Sequence, residues 1–327
     1  MTTLKRLLIG TAALALTAGA ALAEDVIIGH FGNPTPMQVA RAEGKFDAAT
    51  GWTIEWRQFG SGTEVIAAMA SGDVQLAELG SSPLSIGTSQ GLEIELFMIA
   101  EGIGTAESLI ARNGSGITTL EDLVGKSVAV PVGSTAHYSL MGALAHAGIA
   151  ESDVTIVNLP ADQIAAAWDT EQVDAAFIWE PVQNQILQTG TFIVGADQIA
   201  GWGFPTFDGW VVNTEFAAAH PDEMVAFAKT FNEQNLAYLA DPAAWTADSA
   251  QVATIAEMTG AAADQVPAIL QGFTFIPLAD QLGAAWLGGA AANMKTTADF
   301  LVTAGRIDAA IDDYSAFVNT SIADAAK

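Results

Sequence analysis

Small hydroxyl side chains recur where a strand-like run gives way to a helix-like one. They are Ser61 in Ser61-Gly62-Thr63-Glu64, Ser81 with Ser82 in Gly80-Ser81-Ser82-Pro83, and Ser134 with Thr135 after Gly133. The first turn of a helix carries backbone N–H groups without intrahelical partners and the positive end of the peptide dipoles. With hydroxyls beside them, several such starts brought together would hold a tetrahedral oxyanion without any Arg or Lys. Taken singly, each reads equally well as an N-cap, and Ser61 to Glu64 has the spacing of a capping box. Their recurrence at equivalent places in two halves of the chain turns the reading toward a ligand.

A second group is aromatic and acidic. Trp179-Glu180-Pro181 closes one strand-like run, and Trp202, Phe204, Phe207, Asp208 and Trp210 crowd one short segment. A carboxylate beside aromatic faces suits an ammonium, through a charge-assisted hydrogen bond and a cation–π contact. The competing reading is core rings and solvated acids, and it is preferred for Trp245 and Trp286. Trp179, Asp208, Phe31 and Trp210 are the candidates for a cationic end.

Other chemistries find no support. His30, His137, His146 and His220 lie far apart, and no H-E-x-x-H occurs. Gly125-Lys126-Ser127 lacks the glycine five positions upstream, where Leu120 stands, so it reads as a turn into a strand. G-x-S-x-G is missing, and the chain has no cysteine, which removes thiol nucleophiles, disulfides and cysteine metal sites. No catalytic residue, metal or cofactor is expected.

Positioning these groups requires α/β architecture. Strand-like runs at Val26 to Phe31, Thr53 to Gln58 and Val74 to Leu79 alternate with helical stretches, the first from Met37 to Thr50. About a hundred residues later the order returns. Val128 to Val130 leads into the helix with His137, Tyr138, Leu140 and Met141, and a helix from Ile164 to Trp168 leads into Val173 to Ile178. After a further strand, Gly209 to Val212, the pattern is mostly helical, with segments at Pro221 to Leu239, Ala250 to Thr259, Val266 to Gln271 and Ala290 to Thr303. Two related lobes follow, with crossings near Leu109 to Arg112 and Asp208 to Val212. The boundaries are then 24–110 with 211–327 for the first lobe and 111–210 for the second. Open α/β sheets bind ligands beyond the carboxyl ends of their strands, so the strand ends above should face one cleft.

The first 23 residues have the parts of a cleaved export signal: Lys5 and Arg6, an apolar run from Leu7, and Ala21-Leu22-Ala23. The run is shorter than the roughly 20 residues a membrane helix needs. Of 11 Lys and Arg, loss of Lys5 and Arg6 leaves 9 against 37 Asp and Glu, a mature charge of −28. That field repels nucleic acid and anionic membranes, so neither is expected as a partner.

Several segments resemble the taurine-binding members of the sulfonate, nitrate and thiamine-precursor group of periplasmic binding proteins. They are Leu79-Gly80-Ser81-Ser82-Pro83-Leu84, Ala129-Val130-Pro131, Ser134-Thr135-Ala136-His137-Tyr138-Ser139-Leu140, Ile156-Val157-Asn158-Leu159, Gly201-Trp202-Gly203-Phe204-Pro205-Thr206-Phe207-Asp208 and Asp313-Tyr314-Ser315. The resemblance implies a two-lobed type II periplasmic binding protein, α/β, with two crossover strands as hinge. It implies a monomer delivering taurine or a similar sulfonate to an ABC transporter permease with its ATPase. It places Ser82, Ser134, Thr135 and His137 near the sulfonate, Asp208 at the amine and Trp179 in the wall. Two places depart from the family pattern. Phe31-Gly32-Asn33 stands where a polar, often Gln-containing stretch is usual, and Glu180 where some taurine binders carry a small neutral residue. The candidate ligand-binding set is therefore Phe31, Asn33, Ser61, Ser81, Ser82, Ser134, Thr135, His137, Trp179, Glu180, Asp208 and Trp210. Aliphatic sulfonates, nitrate or another small amine-bearing ligand are the alternatives, with an enzyme of the thiamine-pyrimidine synthase type behind them.

Overall fold

A computed structural model describes residues 24–327; the expected export segment at 1–23 lies outside the described residues. The short runs of β-branched and apolar residues form ten strands: β1 (Asp25–His30), β2 (Thr53–Gln58), β3 (Leu76–Gly80), β4 (Ile94–Gly102), β5 (Glu107–Arg112), β6 (Ser127–Val130), β7 (Thr155–Asn158), β8 (Ala175–Trp179), β9 (Gly190–Gly195) and β10 (Phe207–Asn213). They make two five-stranded sheets, ordered β2-β1-β3-β10-β4 and β7-β6-β8-β5-β9. In the first, β1 runs parallel to β2 and β3, and β10 lies antiparallel between β3 and β4. In the second, β6 runs parallel to β7 and β8, and β5 lies antiparallel between β8 and β9.

The two sheets therefore share one plan: four strands in one direction, with an antiparallel strand that the chain delivers from the other lobe inserted before the last of them. The chain passes to the second sheet through Ile103 and the 3-10 turn Gly104–Ala106, and returns between Gly195 and Phe207 past the Ala196–Gly201 helix. Residues 107–110 thus pair wholly within the second sheet and 207–210 within the first. The expected boundaries at 110/111 and 210/211 fall inside β5 and β10. The passages are short linkers, because each delivered strand hydrogen-bonds along its full length to one sheet only. The expected single helix from Met37 to Thr50 is two helices, Met37–Ala42 and Lys45–Thr50. Gly44, at φ +65°, separates them in a left-handed conformation that costs glycine little.

Each sheet is covered by helices over its own core. Ile28, Leu76, Leu79, Phe97 and Phe227 are fully buried in the first lobe, and Leu109, Val128, Leu140 and Phe177 in the second. Among the described residues no helix is long and apolar enough to cross a membrane. The outer edge of β4 is closed by a side chain. The amide of Gln281 accepts from the Ile99 N–H at 2.7 Å and donates to the Ile99 carbonyl at 2.9 Å, as a neighbouring strand would. Its amide also donates to the Ile276 carbonyl at 2.9 Å and the residue is 1 % exposed, so Gln281→Ala takes the side-chain partner from three backbone groups. We predict a loss of roughly 2–4 kcal/mol in unfolding free energy, read from the urea midpoint at unchanged slope. A midpoint equal to wild type would show that the edge needs no partner.

Candidate functional site

The topology explains where the acids arrive. β10 and β5 run antiparallel to their parallel neighbours, so their first residues lie at the neighbours' carboxyl ends. Asp208, second in β10, pairs with Gly80 at the end of β3 and with Glu101 near the end of β4. Glu107, first in β5, pairs with Trp179 at the end of β8. The helices Gly62–Ala70, Ser81–Ser89 and Thr135–Ala147 start at the same level. Between the lobes these ends enclose a cavity lined by Phe31, Asn33, Gly62, Gly80, Pro83, Ile103, Glu107, Ser134, Thr135, Trp179, Asp208 and Phe273.

The lobes touch around it. The Ser82 hydroxyl points at the Gly133 carbonyl at 3.5 Å, the Ala161 N–H donates to the Gly60 carbonyl at 3.3 Å, and the rings of Phe31 and Trp179 lie 6.1 Å apart. Gly80 has no substitute at the closest approach, since a Cβ there would stand 2.7 Å from the Thr135 methyl and 3.2 Å from an Asp208 oxygen.

Six of the twelve sequence candidates line the cavity: Phe31, Asn33, Ser134, Thr135, Trp179 and Asp208. The other six lie behind it. Ser61 caps its helix through the Glu64 N–H at 3.4 Å. Ser81 accepts from the Phe207 N–H at 3.3 Å and so fixes the start of β10. Ser82 spends its hydroxyl on the contact between lobes. His137 is fully buried, and its Nδ1 accepts from the Gly133 N–H at 3.2 Å, so it shapes the loop before the helix. Glu180 turns away into the start of the next helix, where it accepts from the Asn184 N–H at 3.2 Å. Trp210 is core: its ring centre is 5.1 Å from that of Phe227 and 6.0 Å from that of Phe231. Its strand position put it on the sheet face toward the long Pro221–Ala240 helix, and that helix covers it.

Three residues absent from the candidate set dominate the electrostatics: Glu78, Glu101 and Glu107. The Asn33 amide reaches Glu78 at 2.9 Å, Glu101 at 3.2 Å and Asp208 at 3.4 Å, and Glu78 also accepts from the Phe31 N–H at 3.2 Å. Glu78, Glu101 and Asp208 offer oxygens within 4.8 Å of one another, a spacing that protons, an ammonium or a hard cation could bridge. Glu107 accepts from Thr135 Oγ1 at 2.7 Å and from the Ser139 hydroxyl at 3.4 Å. Among the described residues no Lys or Arg lines the cavity.

Burial therefore moves every one of these acids the same way. It raises Glu78, and it raises Glu101 well above the usual carboxylate range with help from the charges of Glu78 and Asp208. Asp208 is raised well above its usual range by burial, then by Glu78 and Glu107. Glu107 and Glu180 are each raised by burial to about 7. Two buried histidines shift oppositely: burial and, less, Arg41 lower His30 to about 3, and burial and Arg306 lower His137 to about 4.

The signs separate by pH. A raised acid stabilises the fold fully below its unfolded value and loses that contribution as pH rises through its folded value. A lowered histidine stabilises fully above its unfolded value, about 6.5, and loses this as pH falls. Above about pH 6.5 only the acids remain in play. We predict that the melting temperature of ligand-free protein falls between about pH 6.5 and pH 8, and that Glu107→Gln makes the fall shallower. A flat or rising melting temperature across that window would contradict the buried-acid account.

Residues 31–245 match the NMT1/THI5-like family. The chain is 38% identical over 309 residues to the taurine-binding periplasmic protein of Escherichia coli (strain K12), covering 94% of this chain and 96% of that one. Among solved structures it resembles the alkanesulfonate-binding protein SsuA from Xanthomonas axonopodis pv. citri bound to MOPS, with a TM-score of 0.76 at 20% identity over 94% of this chain and 99% of that one. The desulfurization enzyme DSZB shares the fold as well, with a TM-score of 0.66 at 17% identity over 93% of this chain and 98% of that one. Two sheets of one plan, a cleft at their carboxyl ends and a match across most of the length agree, and the chain belongs to the NMT1/THI5-like family in its periplasmic binding protein form.

Proposed function

We propose that the protein is the periplasmic substrate-binding component of an ABC importer and captures taurine or a closely related aminoalkanesulfonate between its lobes. The observation that carries this is the composition of the enclosed cavity. Hydroxyl-bearing helix starts, with Gly62, Ser134 and Thr135 on the lining, offer neutral donors for a sulfonate, and Asp208 offers a carboxylate for an ammonium. The rings of Phe31, Trp179 and Phe273 supply apolar wall between them. The extent of the likeness to a taurine-binding relative supports the same ligand class.

In this reading the Ser134 hydroxyl and the backbone N–H of Thr135 hold the sulfonate, Asp208 holds the amine, and Phe31, Asn33 and Trp179 shape the space. Ser61, Ser81, Ser82 and His137 act one step removed, by fixing helix starts and the loop at Gly133. No bond is made or broken. The hydroxyls at the cavity have no imidazole placed to deprotonate them, since His137 accepts a backbone N–H and Ser134 Oγ itself accepts from the His137 N–H at 3.2 Å. That arrangement favours a binder over the enzyme chemistry a shared fold permits. Closure around the ligand would present a monomer with one defined outer shape to the permease and its ATPase. Export through the segment at 1–23 would deliver it to the periplasm.

A thermal-shift panel on ligand-stripped protein tests the ligand class. Taurine at about 100 times its dissociation constant should add roughly 2.7 kcal/mol of stability. Asp208→Asn should weaken taurine by about 2–5 kcal/mol, because a buried ammonium loses a charged partner. The variant should leave alkanesulfonates no worse than in wild type. No shift with any sulfonate would overturn the reading, and an unchanged taurine affinity in Asp208→Asn would remove the amine role.

A further inference from the structure

Asp208 and Glu107 reach the cavity from different lobes. Asp208 sits on β10 in the first sheet and Glu107 on β5 in the second. Thr135, also of the second lobe, lies between them. Its hydroxyl donates to Glu107 Oε2 at 2.7 Å, and its methyl packs against the gap at Gly80 that an Asp208 oxygen also borders. The two carboxylates are thus separated by little more than one threonine side chain. Glu78 and Glu101 stand behind Asp208 around Asn33, and among the described residues no Lys or Arg lines the cavity to offset them. Bringing the lobes together therefore carries the carboxylate of Glu107 against an acidic wall.

We propose that Glu107 is a second carboxylate for the ligand's cationic group and that a cation between Glu107 and Asp208 draws the lobes closed. Like charges forced together in a low-dielectric cavity repel strongly, and an ammonium between them reverses the sign of the interaction. A sulfonate lacking a cation can meet the helix starts in the open cleft but cannot relieve this repulsion. Selectivity for sulfonated amines then arises at closure, the step a transporter reads, as well as at first contact. The inference rests on the proposed ligand class and adds to it a residue and a step.

The test compares taurine with isethionate, which carries a hydroxyl in place of the ammonium, using wild type and Glu107→Gln. Calorimetry gives affinities, and small-angle X-ray scattering gives the radius of gyration as a measure of closure. Wild type should compact with taurine and not with saturating isethionate. In Glu107→Gln, taurine affinity should fall roughly 10- to 100-fold, and isethionate should now compact the protein. A taurine-to-isethionate affinity ratio within about threefold of wild type would overturn the inference while leaving the ligand class standing. Failure of wild type to bind taurine or any other sulfonated amine would overturn both. Should Glu107→Gln not fold, the wild-type scattering decides: equal compaction by the two ligands refutes closure by cation, and compaction by taurine alone supports it.

Discussion

The packing of Glu78, Glu101 and Asp208 around the single amide of Asn33 is the interaction on which the site depends. Three carboxylates meet one NH2 group, which has two hydrogens to give, in a place without a basic side chain among the described residues. Such a cluster persists near neutral pH only if protons or a cation share it, because the penalty for several bare buried carboxylates exceeds what one amide returns. The site is consequently held in a charge state that a positive group changes. That constraint gives meaning to the rest: the hydroxyls near it serve as neutral donors, and the lobe that faces it delivers one more acid.

The fold brings about this concentration of acids through strand direction. A parallel strand presents its carboxyl end to the cleft and hands the chain to a helix start, which offers donors. An antiparallel strand presents its amino end, and the residue there is free to be an acceptor. Each lobe has four of the former and receives one of the latter from its partner lobe. Donor groups thus come from Ser134 and Thr135 after β6 and from Gly62, which opens the helix after β2. The acids that line the cavity come from the delivered strands, as Glu107 and Asp208. A zwitterion matches this division, since one end needs each kind of strand end.

Much of this plan was legible in the sequence, and the misses have physical causes. Helix starts announced themselves through Ser61 and Ser134, whose capping chemistry is local. The helix Ala250–Thr259, which Ser249 caps, and strand β2 were read to the residue. What a side chain does after the helix is formed is not local. Ser81 and Ser82 spend their hydroxyls on distant backbone, and His137 on the turn at Gly133. Trp210 shares a segment and a sheet face with Asp208 but lies two residues further from the cleft, opposite Glu78 instead of Gly80, where Phe227 and Phe231 of the Pro221–Ala240 helix cover it. Glu78 and Glu101 left one overlooked signal, an acid inside an otherwise apolar strand. In Leu76–Gly80 the one charge, and in Ile94–Gly102 the second of two, Glu101 beyond the half-buried Glu95, marks a group that folding must bury.

Global and local charge play different parts in selectivity. The whole chain carries a formal charge of −26, which disfavours the approach of any anion. At physiological ionic strength, however, the Debye length is about 8 Å, so the distant surface acids act weakly and mainly on the rate of encounter. A simple sulfonate feels that repulsion, whereas a zwitterion of zero net charge is nearly indifferent to it. Affinity is decided inside, where water is excluded and the few buried acids interact at short range. The surface can vary for solubility in salt without altering what is bound. A change of one carboxylate at the cavity cannot be neutral in the same way, since it alters the charge that the ligand has to balance.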